Sequence, residues 1–212
     1  MPIRCEQIGA NTKEGDRKMK RLVIATGNQG KVREIKKILD GVYDEILSMK
    51  EAGIDIDVVE DADSFEGNAK KKAVEISKAA DCDVLADDSG LCVDGLDGRP
   101  GVYSARYSAE GTDEANNCKL IEEVSELPES ERTARYECAM VLARGGRVLH
   151  TCMGSCEGII ITMARGTGGF GYDPYFYLPE YDMTFGEMPA EEKNKISHRA
   201  IALGEMRKYW HI

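Results

Sequence analysis

Apolar and polar positions early in the chain predict a buried strand followed by an amphipathic helix. The run at 21–25 is apolar after its first residue, as in a strand that is buried on both faces. After a short loop, Val32, Ile35 and Leu39 recur on one helical face. The sequence therefore predicts a strand, a loop and a helix in succession.

A second helix is predicted for residues 65–80. Ala69, Ala73 and Ile76 recur at helical spacing and form its apolar stripe. The lysines of this segment are predicted to point largely into solvent: Lys70, Lys71, Lys72 and Lys78. This helix should pack one narrow face on the core and leave its charged face in water.

The second half of the chain adds long strands and more helices. Residues 113–127 are predicted to form a helix that closes before a proline. Segments 134–143 and 147–161 predict two strands joined by an Arg-Gly-Gly hairpin. Residues 189–210 predict one charged helix or a pair of helices. A hairpin beside strand–helix units indicates a mixed sheet in an α/β protein.

The stretch 84–91 carries two adjacent carboxylates at the end of an apolar run. Asp87 and Asp88 are followed by Ser89-Gly90, so the strand is predicted to stop there, at a cleft. Adjacent strand residues face opposite sides, so Asp87 and Asp88 should not both face one ligand unless the strand has already turned. An ordinary turn remains an alternative, because Asp, Ser and Gly are common turn residues. The Gly-rich segment 91–107 is predicted to be a long loop over a functional region.

Residues 26–31, with the sequence Thr-Gly-Asn-Gln-Gly-Lys, lie between the first strand and the first helix. Free backbone N–H groups and the dipole at a helix N-terminus favour phosphate, and Lys31 adds a mobile positive charge. The spacing is not that of a Walker A motif. The segment predicts an anion-binding loop, with an ordinary strand-to-helix turn as the alternative.

A GxGxxG match at 166–171 does not predict dinucleotide binding. It is followed by Tyr172-Asp173-Pro174 rather than by a helix. The glycines instead favour a close approach of backbone to ligand, and Phe170 is available to stack on a ring. Further on, Lys193, His198 and Arg199 form a group of cationic or donor side chains that could hold a polyanion.

Composition narrows the classes of partner. The 212 residues, with 42% hydrophobic content, suffice for one good-sized core. A net charge of −10 argues against a sequence-blind nucleic-acid binder. No apolar run approaches the roughly 20 residues of a membrane span, so no membrane partner is expected. Seven cysteines without zinc-site or CxxC spacing indicate free thiols in a reducing cytoplasm.

The polar residues 1–18 differ from the rest of the chain. They lack periodicity, and Met19 leads directly into the first strand. We expect 1–18 to be an N-terminal extension, either a loose tail or a segment upstream of the functional start at Met19. Residues 19–212 are expected to form a single domain.

Four separated blocks of sequence resemble the inosine triphosphate pyrophosphatase family. They are ATGNQGKVREI, LADDSGLCVDGLDGRPGVYSARY, GTGGFGYDPYF and TFGEMPAEEKNKISHR, and together they extend the resemblance over Met19 to Trp210. The resemblance implies an elongated mixed sheet flanked by helices, with two lobes and a cleft between them. It also implies a homodimer that hydrolyses nonstandard purine nucleoside triphosphates (ITP, dITP, XTP) to the monophosphate and pyrophosphate.

The resemblance also assigns roles to residues of this sequence. Asp88 matches the catalytic carboxylate and is therefore the principal candidate, with Asp87 as its support. The positions that match substrate contacts are Thr26, Gly27, Asn28, Gln29, Gly30, Lys31, Ser89, Phe170, Gly171, Tyr172, Asp173, Lys193, His198 and Arg199. Mg²⁺ is the implied cofactor, with Asp88 and Glu60 as its ligands. Glu66 is the second choice, because the family's Phe-x-Glu-Asn pattern stands here as Phe-Glu-Gly-Asn at 65–68.

Two other functions remain open from the sequence. One is a related pyrophosphatase that prefers other modified nucleotides, which would share the fold. The other is a nucleotide-binding sensor that has lost hydrolysis. The altered Gly67 is the sequence feature that favours the sensor, whereas the presence of Asp88, Lys31 and Lys193 argues against it.

Overall fold

The computed structural model describes residues 19–210 as a mixed sheet with helices on both faces. The strands are β1 (Arg21–Ile24), β2 (Glu45–Ser48), β3 (Asp83–Val93), β4 (Thr133–Arg144), β5 (Arg147–Ile160), β6 (Phe176–Leu178) and β7 (Met183–Thr184). The helices are α1 (Gln29–Ile38), α2 (Phe65–Ala79), α3 (Asp113–Ser125), α4 (Ala190–Ile196) and α5 (His198–Tyr209). The expectations for residues 1–18 lie outside the described residues.

The seven strands lie in the order β2-β1-β3-β4-β5-β6-β7. β1 pairs in parallel with both β2 and β3, whereas every later pair is antiparallel. The predicted hairpin joins β4 to β5, and Gly145 and Gly146 adopt the positive φ angles that its turn requires. The expectation of a mixed α/β sheet is therefore confirmed.

Three apolar clusters divide the molecule into two lobes. On one face of the sheet, α1 and α5 pack on β1, β3 and β4, with Ile35 and Leu203 fully buried. On the other face, α2 covers the same strands, with Ala73 at its contact. The third cluster lies further along β3 and β4, where Leu91 and Phe176 pack with α3 and β6. The cleft lies between these two parts of the sheet.

The prediction that the strand stops at Ser89-Gly90 is wrong. β3 continues to Val93, because β4 pairs with every residue from Val84 to Val93 and supplies the backbone hydrogen bonds. β1, in contrast, pairs with β3 only as far as Leu85. The other edge of β3 is therefore free of β1 beyond Leu85, and this step between two neighbouring strands forms the cleft.

The segment 91–107 is only partly a loop. Its first three residues belong to β3, and Gly101–Arg106 forms a 3₁₀ helix beside the cleft. The C-terminal stretch is a pair of helices, α4 and α5, separated at Ser197, whose hydroxyl caps α5 by accepting from Ala200 N–H. No helix within 19–210 is long and apolar enough to span a bilayer. The cysteines of this part of the chain are free thiols.

Candidate active site

A cavity of about 300 Å³ lies at the step between β1 and β3. Most of the residues predicted for the site line it: Thr26, Gly27, Asn28, Lys31, Glu60, Asp88, Ser89, Phe170, Gly171, Tyr172, Asp173, Lys193, His198 and Arg199. Gln29 lines a neighbouring cavity, and Gly30 packs beneath the ring of Phe170. The fold thus brings five separate segments of sequence together around one space.

The loop before α1 is stabilised by its own asparagine. Asn28 is the N-cap, and its Oδ1 accepts from the N–H groups of Gly30 (2.8 Å) and Lys31 (3.1 Å). The prediction that these N–H groups are free for phosphate is therefore wrong for these two residues. Asn28 N–H donates to Thr26 Oγ1 in turn (3.2 Å). The loop is preorganised, and the Lys31 side chain provides the cation on this side of the cavity.

Asp87 lies on the α1 and α5 face of β3 and is fully buried. Its Oδ2 is 2.9 Å from Lys31 Nζ and accepts weakly from the guanidinium of Arg199 (3.4 Å). Burial alone would raise the pKa of Asp87, but Lys31 and Arg199 outweigh burial and hold this pKa below its usual range. Asp87 is therefore an ionised carboxylate that fixes two cations, and Lys31 is ion-paired rather than mobile.

Asp88 lies on the opposite face of β3, towards α2 and the cavity. Asn68 Nδ2 donates to its Oδ2 (3.0 Å), and Lys72 Nζ lies 3.7 Å from its Oδ1. Burial raises the pKa of Asp88, and Lys72 and Lys31 oppose that rise. A carboxylate with a raised pKa is a better proton acceptor than one in water, as general-base catalysis requires.

The prediction that Lys72 faces solvent is wrong. Its side chain is buried, and its ammonium group lies 3.1 Å from Glu60 Oε1 as well as near Asp88. Helical spacing explains this orientation, because residue 72 follows Asn68 by four and precedes Ile76 by four on the buried stripe of α2. The lysine run hid that periodicity. Its neighbour Lys71 does point outward and pairs with Asp61.

The two candidate glutamates lie in different places. Glu60 lines the cavity with Asp88, whereas Glu66 lines a separate surface pocket. Gly67 replaces the family's glutamate at a position where a Cβ would lie 2.7 Å from that of Ala62. The departure from the family pattern therefore reflects close packing before α2, and Asn68 still contacts Asp88.

The donor set of the cavity fits a magnesium ion. Within 19–210 no group of three or more His, Cys, Asp or Glu side chains forms a metal cage. Asp88 and Glu60 nevertheless share the cavity, with Lys72 between them. Mg²⁺ is usually held by one or two carboxylates together with substrate phosphates, so these two acids suffice.

The far end of the cavity carries an aromatic ring with cations near it. Lys193 Nζ lies 4.9 Å from the centre of the Phe170 ring, and the Arg199 guanidinium carbon lies 5.8 Å from it. Phe170 N–H donates to Asp173 Oδ2 (2.9 Å). A turn and then β6 follow the GxGxxG match, rather than the helix that a dinucleotide-binding motif requires.

The cationic cluster is neutralised by acids of the protein itself. Lys193 Nζ contacts Asp173 (2.5 Å) and Glu34 (3.2 Å), and Arg199 also forms an ion pair with Glu34. Burial, followed by Arg199 and Lys193, lowers the pKa of His198 well below its ordinary value, so His198 is neutral. The predicted group of cationic or donor side chains therefore carries little free charge for a polyanion, and this end of the cavity instead suits a polar, uncharged ring.

Sequence reasoning missed several residues that shape the cavity. Glu34 joins α1 to both C-terminal helices, and its spacing of three from Lys31 on α1 is the signal that could have identified it. Tyr136 stacks on His198 with ring centres 4.7 Å apart. Asn116 is buried and accepts from Ser108 N–H and Oγ (2.7 and 2.9 Å), which secures the wall of the cavity. The contacts of Glu34 and Tyr136 join residues far apart in the sequence, whereas Asn116 and Ser108 are 8 residues apart.

The fold and this cavity define an α/β protein whose cleft has a cation- and carboxylate-rich end and an aromatic end with neutral donors. The sequence profile of the Ham1 family matches residues 22–209, and the chain belongs to that family. Relatives of the chain confirm the resemblance to inosine triphosphate pyrophosphatases, because they are named dITP/XTP pyrophosphatases.

Two relatives illustrate the match. The chain is 48% identical over 192 residues to the dITP/XTP pyrophosphatase of Geobacter sulfurreducens, which covers 90% of this chain and 96% of the relative. It is 45% identical over 191 residues to the dITP/XTP pyrophosphatase of Bacillus subtilis, again with 90% and 96% coverage.

Solved structures of Ham1 proteins have the same fold as this chain. The Ham1 protein of Staphylococcus aureus superposes with a TM-score of 0.79 at 36% identity, covering 91% of this chain and 98% of that protein. A HAM1 protein from Coxiella burnetii gives 0.81 at 34% identity, with 91% and 99% coverage.

Proposed function

We propose that the protein hydrolyses nonstandard purine nucleoside triphosphates (ITP, dITP and XTP) to the monophosphate and pyrophosphate, with Mg²⁺ as cofactor. The relatives named dITP/XTP pyrophosphatases support this substrate class. The observation that carries the proposal is the division of one cavity into two ends. Lys31, Lys72 and Asp88 form the charged end, and Phe170 and His198 form the other.

Asp88 is the proposed general base. Its carboxylate accepts the proton of a water molecule as the water oxygen bonds to the α-phosphorus. The bond from that phosphorus to the bridging oxygen then breaks, and pyrophosphate leaves with the electron pair. Asn68, through its donation to Asp88 Oδ2, keeps the carboxylate oriented towards the cavity.

Phosphate charge must be neutralised before a nucleophile can approach. Lys31 and Lys72 lie on two sides of the cavity and can attract the phosphate oxygens. Asp88 and Glu60 would hold Mg²⁺. When bound, the ion offsets phosphate charge and polarises the oxygens around the α-phosphorus. Lys72 occupies the position between these two acids and balances their charge in the absence of ligand.

Base selectivity is proposed to come from hydrogen-bond donors at the aromatic end. Hypoxanthine and xanthine carry an O6 acceptor where adenine carries an amino donor. Donors from His198, Arg199 or backbone N–H groups would pair with O6, whereas an adenine amino group would leave them without a partner. Phe170 would stack on the purine ring.

We also propose that the protein acts as a cytoplasmic homodimer. The resemblance to the family supports the dimer, and the unpaired pattern of its cysteines supports a reducing compartment. Sedimentation velocity of the native protein distinguishes a dimer from a monomer of 23.4 kDa.

The direct test is pyrophosphate release from ITP, XTP, GTP and ATP, with and without Mg²⁺, by the wild-type protein and Asp88→Asn. The proposal expects Mg²⁺-dependent release from ITP and XTP that is far faster than release from ATP, and loss of activity in Asp88→Asn. A preference for modified pyrimidine triphosphates would favour the related pyrophosphatase instead. Tight binding of ITP by calorimetry without release would identify a sensor.

A further inference from the structure

Two side chains of helix α3 hydrogen-bond to the backbone N–H and C=O of Gly171. Gly171 N–H donates to Asp113 Oδ2 (2.7 Å), and Asn117 Nδ2 donates to Gly171 O (3.0 Å). Residues 113 and 117 are four apart and therefore lie on one face of the helix. Both polar groups of the Gly171 peptide are thus bonded to side chains of a helix 54 residues or more away in sequence.

The side-chain amide of Asn117 has one polar atom that is hydrogen-bonded and one that is not. Its Oδ1 is buried and has no hydrogen-bond partner among residues 19–210. A buried oxygen without a partner lowers stability, and this cost offsets part of what the bond from Asn117 Nδ2 to Gly171 O contributes. The net stability that the amide adds is therefore small. Its bond to Gly171 O orients the segment that faces the cavity.

Gly171 lies between the two aromatic residues of that segment. Phe170 and Tyr172 both line the cavity. Tyr172 Oη donates to Ser104 O (2.6 Å), so the far side of the segment is tied to the 3₁₀ helix. Gly171 itself has a positive φ of 62°, which lets the chain turn between the two rings. The two bonds from α3 to Gly171 therefore help to hold Phe170 in place, together with the bond from Phe170 N–H to Asp173.

We propose that Asp113 and Asn117 are positioning residues for the nucleobase: they fix the Phe170–Tyr172 segment and thereby set discrimination between bases, without acting on the phosphate end. This inference rests on the proposed function of the cavity. It assigns base discrimination partly to a helix that lies outside the segments carrying Lys31, Asp88 and Arg199.

The test compares Asp113→Ala and Asn117→Leu with Asp113→Asn and Glu114→Ala. Asp113→Asn retains an acceptor for Gly171 N–H. Glu114→Ala removes an equivalent charge from the same helical turn, and the side chain of Glu114 makes no hydrogen bond or ion pair within 19–210. Steady-state kcat and KM are measured with ITP and ATP. Inhibition by inorganic tripolyphosphate, which lacks a base, reports on the phosphate end.

Asp113→Ala should lower the ratio of kcat/KM for ITP to that for ATP by about two- to tenfold, the effect of one lost hydrogen bond. KM for ITP should rise more than kcat falls, and the inhibition constant of tripolyphosphate should not change. Asp113→Asn and Glu114→Ala should keep the wild-type ratio. The melting temperature of Asn117→Leu should stay close to that of the wild type, because removal of the unpartnered Oδ1 offsets the loss of the bond to Gly171 O.

An unchanged ITP-to-ATP ratio in Asp113→Ala would overturn the inference. So would a tripolyphosphate inhibition constant that rises with KM, because the cavity as a whole would then have moved. Failure of the proposed function gives a different result, since the wild-type protein itself would release no pyrophosphate from ITP. The affinities of the variants for ITP, measured by calorimetry, would then still test the inference.

Discussion

Asp87 and Asp88 are adjacent on β3, yet their carboxylates lie on opposite faces of the sheet and contact different cations. Asp87 is buried against Lys31 and Arg199, and Asp88 faces the cavity beside Lys72. The alternation of side chains along a strand separates the two acids. One therefore serves to hold the site together, and the other is available to substrate.

Substitution of the two acids should have opposite consequences. Asp88→Asn should lower kcat by about 10²–10⁴, the usual contribution of a general base, with little change in melting temperature. Asp87→Asn should lower the free energy of unfolding by about 3–5 kcal/mol, because it leaves Lys31 without its carboxylate and Arg199 with Glu34 alone. Pyrophosphate release and urea unfolding measure the two effects. Equal loss of stability in both variants would contradict the separation of roles.

Lys72 offers a prediction with a matched control in the preceding residue, Lys71. Lys72→Met should lower kcat/KM by about 10²–10³, the effect of removing one charge-stabilising group. Because Lys72 lowers the pKa of Asp88, its loss should raise that pKa and move the acid limb of the pH–rate profile to higher pH. Lys71→Met, which removes an exposed lysine, should leave rate and profile unchanged. Similar profiles for both variants would show that Lys72 has no role at the site.

The choice between the two candidate metal ligands can be tested by titration. Glu60→Gln should raise the Mg²⁺ concentration for half-maximal activity by at least about tenfold, the size of effect that even outer ligands produce. Glu66→Gln should not raise it, because Glu66 lines another pocket. Isothermal titration of Mg²⁺ in the presence of substrate analogue gives an independent measure. A larger effect of Glu66→Gln would reverse the assignment.

His198 should make stability depend on pH. Its pKa in the folded protein lies well below the ordinary 6.5, chiefly because it is buried and also because Arg199 and Lys193 are near. The unfolded chain therefore binds a proton first as the pH falls. The stability due to neutral His198 is present above about pH 6.5 and is lost as the pH falls below it.

The measurement for His198 is the melting temperature between about pH 7.5 and pH 5. His198→Gln should flatten the decline on the acid side relative to the wild type. His150→Gln is the control, because His150 stacks on Tyr209 near the surface, away from the cavity. An equally steep decline in His198→Gln and wild type would show that His198 does not titrate with unfolding.

Much of the local structure followed from sequence because it depends on near neighbours. The helical period of α2, the Gly-Gly turn of the β4–β5 hairpin and the opposite faces of Asp87 and Asp88 are set within a few residues. The period of α2 even placed Lys72 on the buried stripe. The run of three lysines led to the wrong prediction, because a charge is expected in solvent unless a partner is known.

The sequence by itself determined the strands and helices, the mixed sheet and the residues that gather at the site, because these depend on periodicity, turn chemistry and recognisable motifs. Only the tertiary structure decided that β3 runs through Ser89-Gly90, since the hydrogen bonds that extend it come from β4. It also decided the pairing of charges. Lys193 pairs with Glu34 and Asp173, and Arg199 pairs with Glu34 and Asp87. Asp173 lies 20 residues before Lys193, and the other partners are more than 100 residues away in sequence. Such compensation depends on distances in space, which no local pattern encodes.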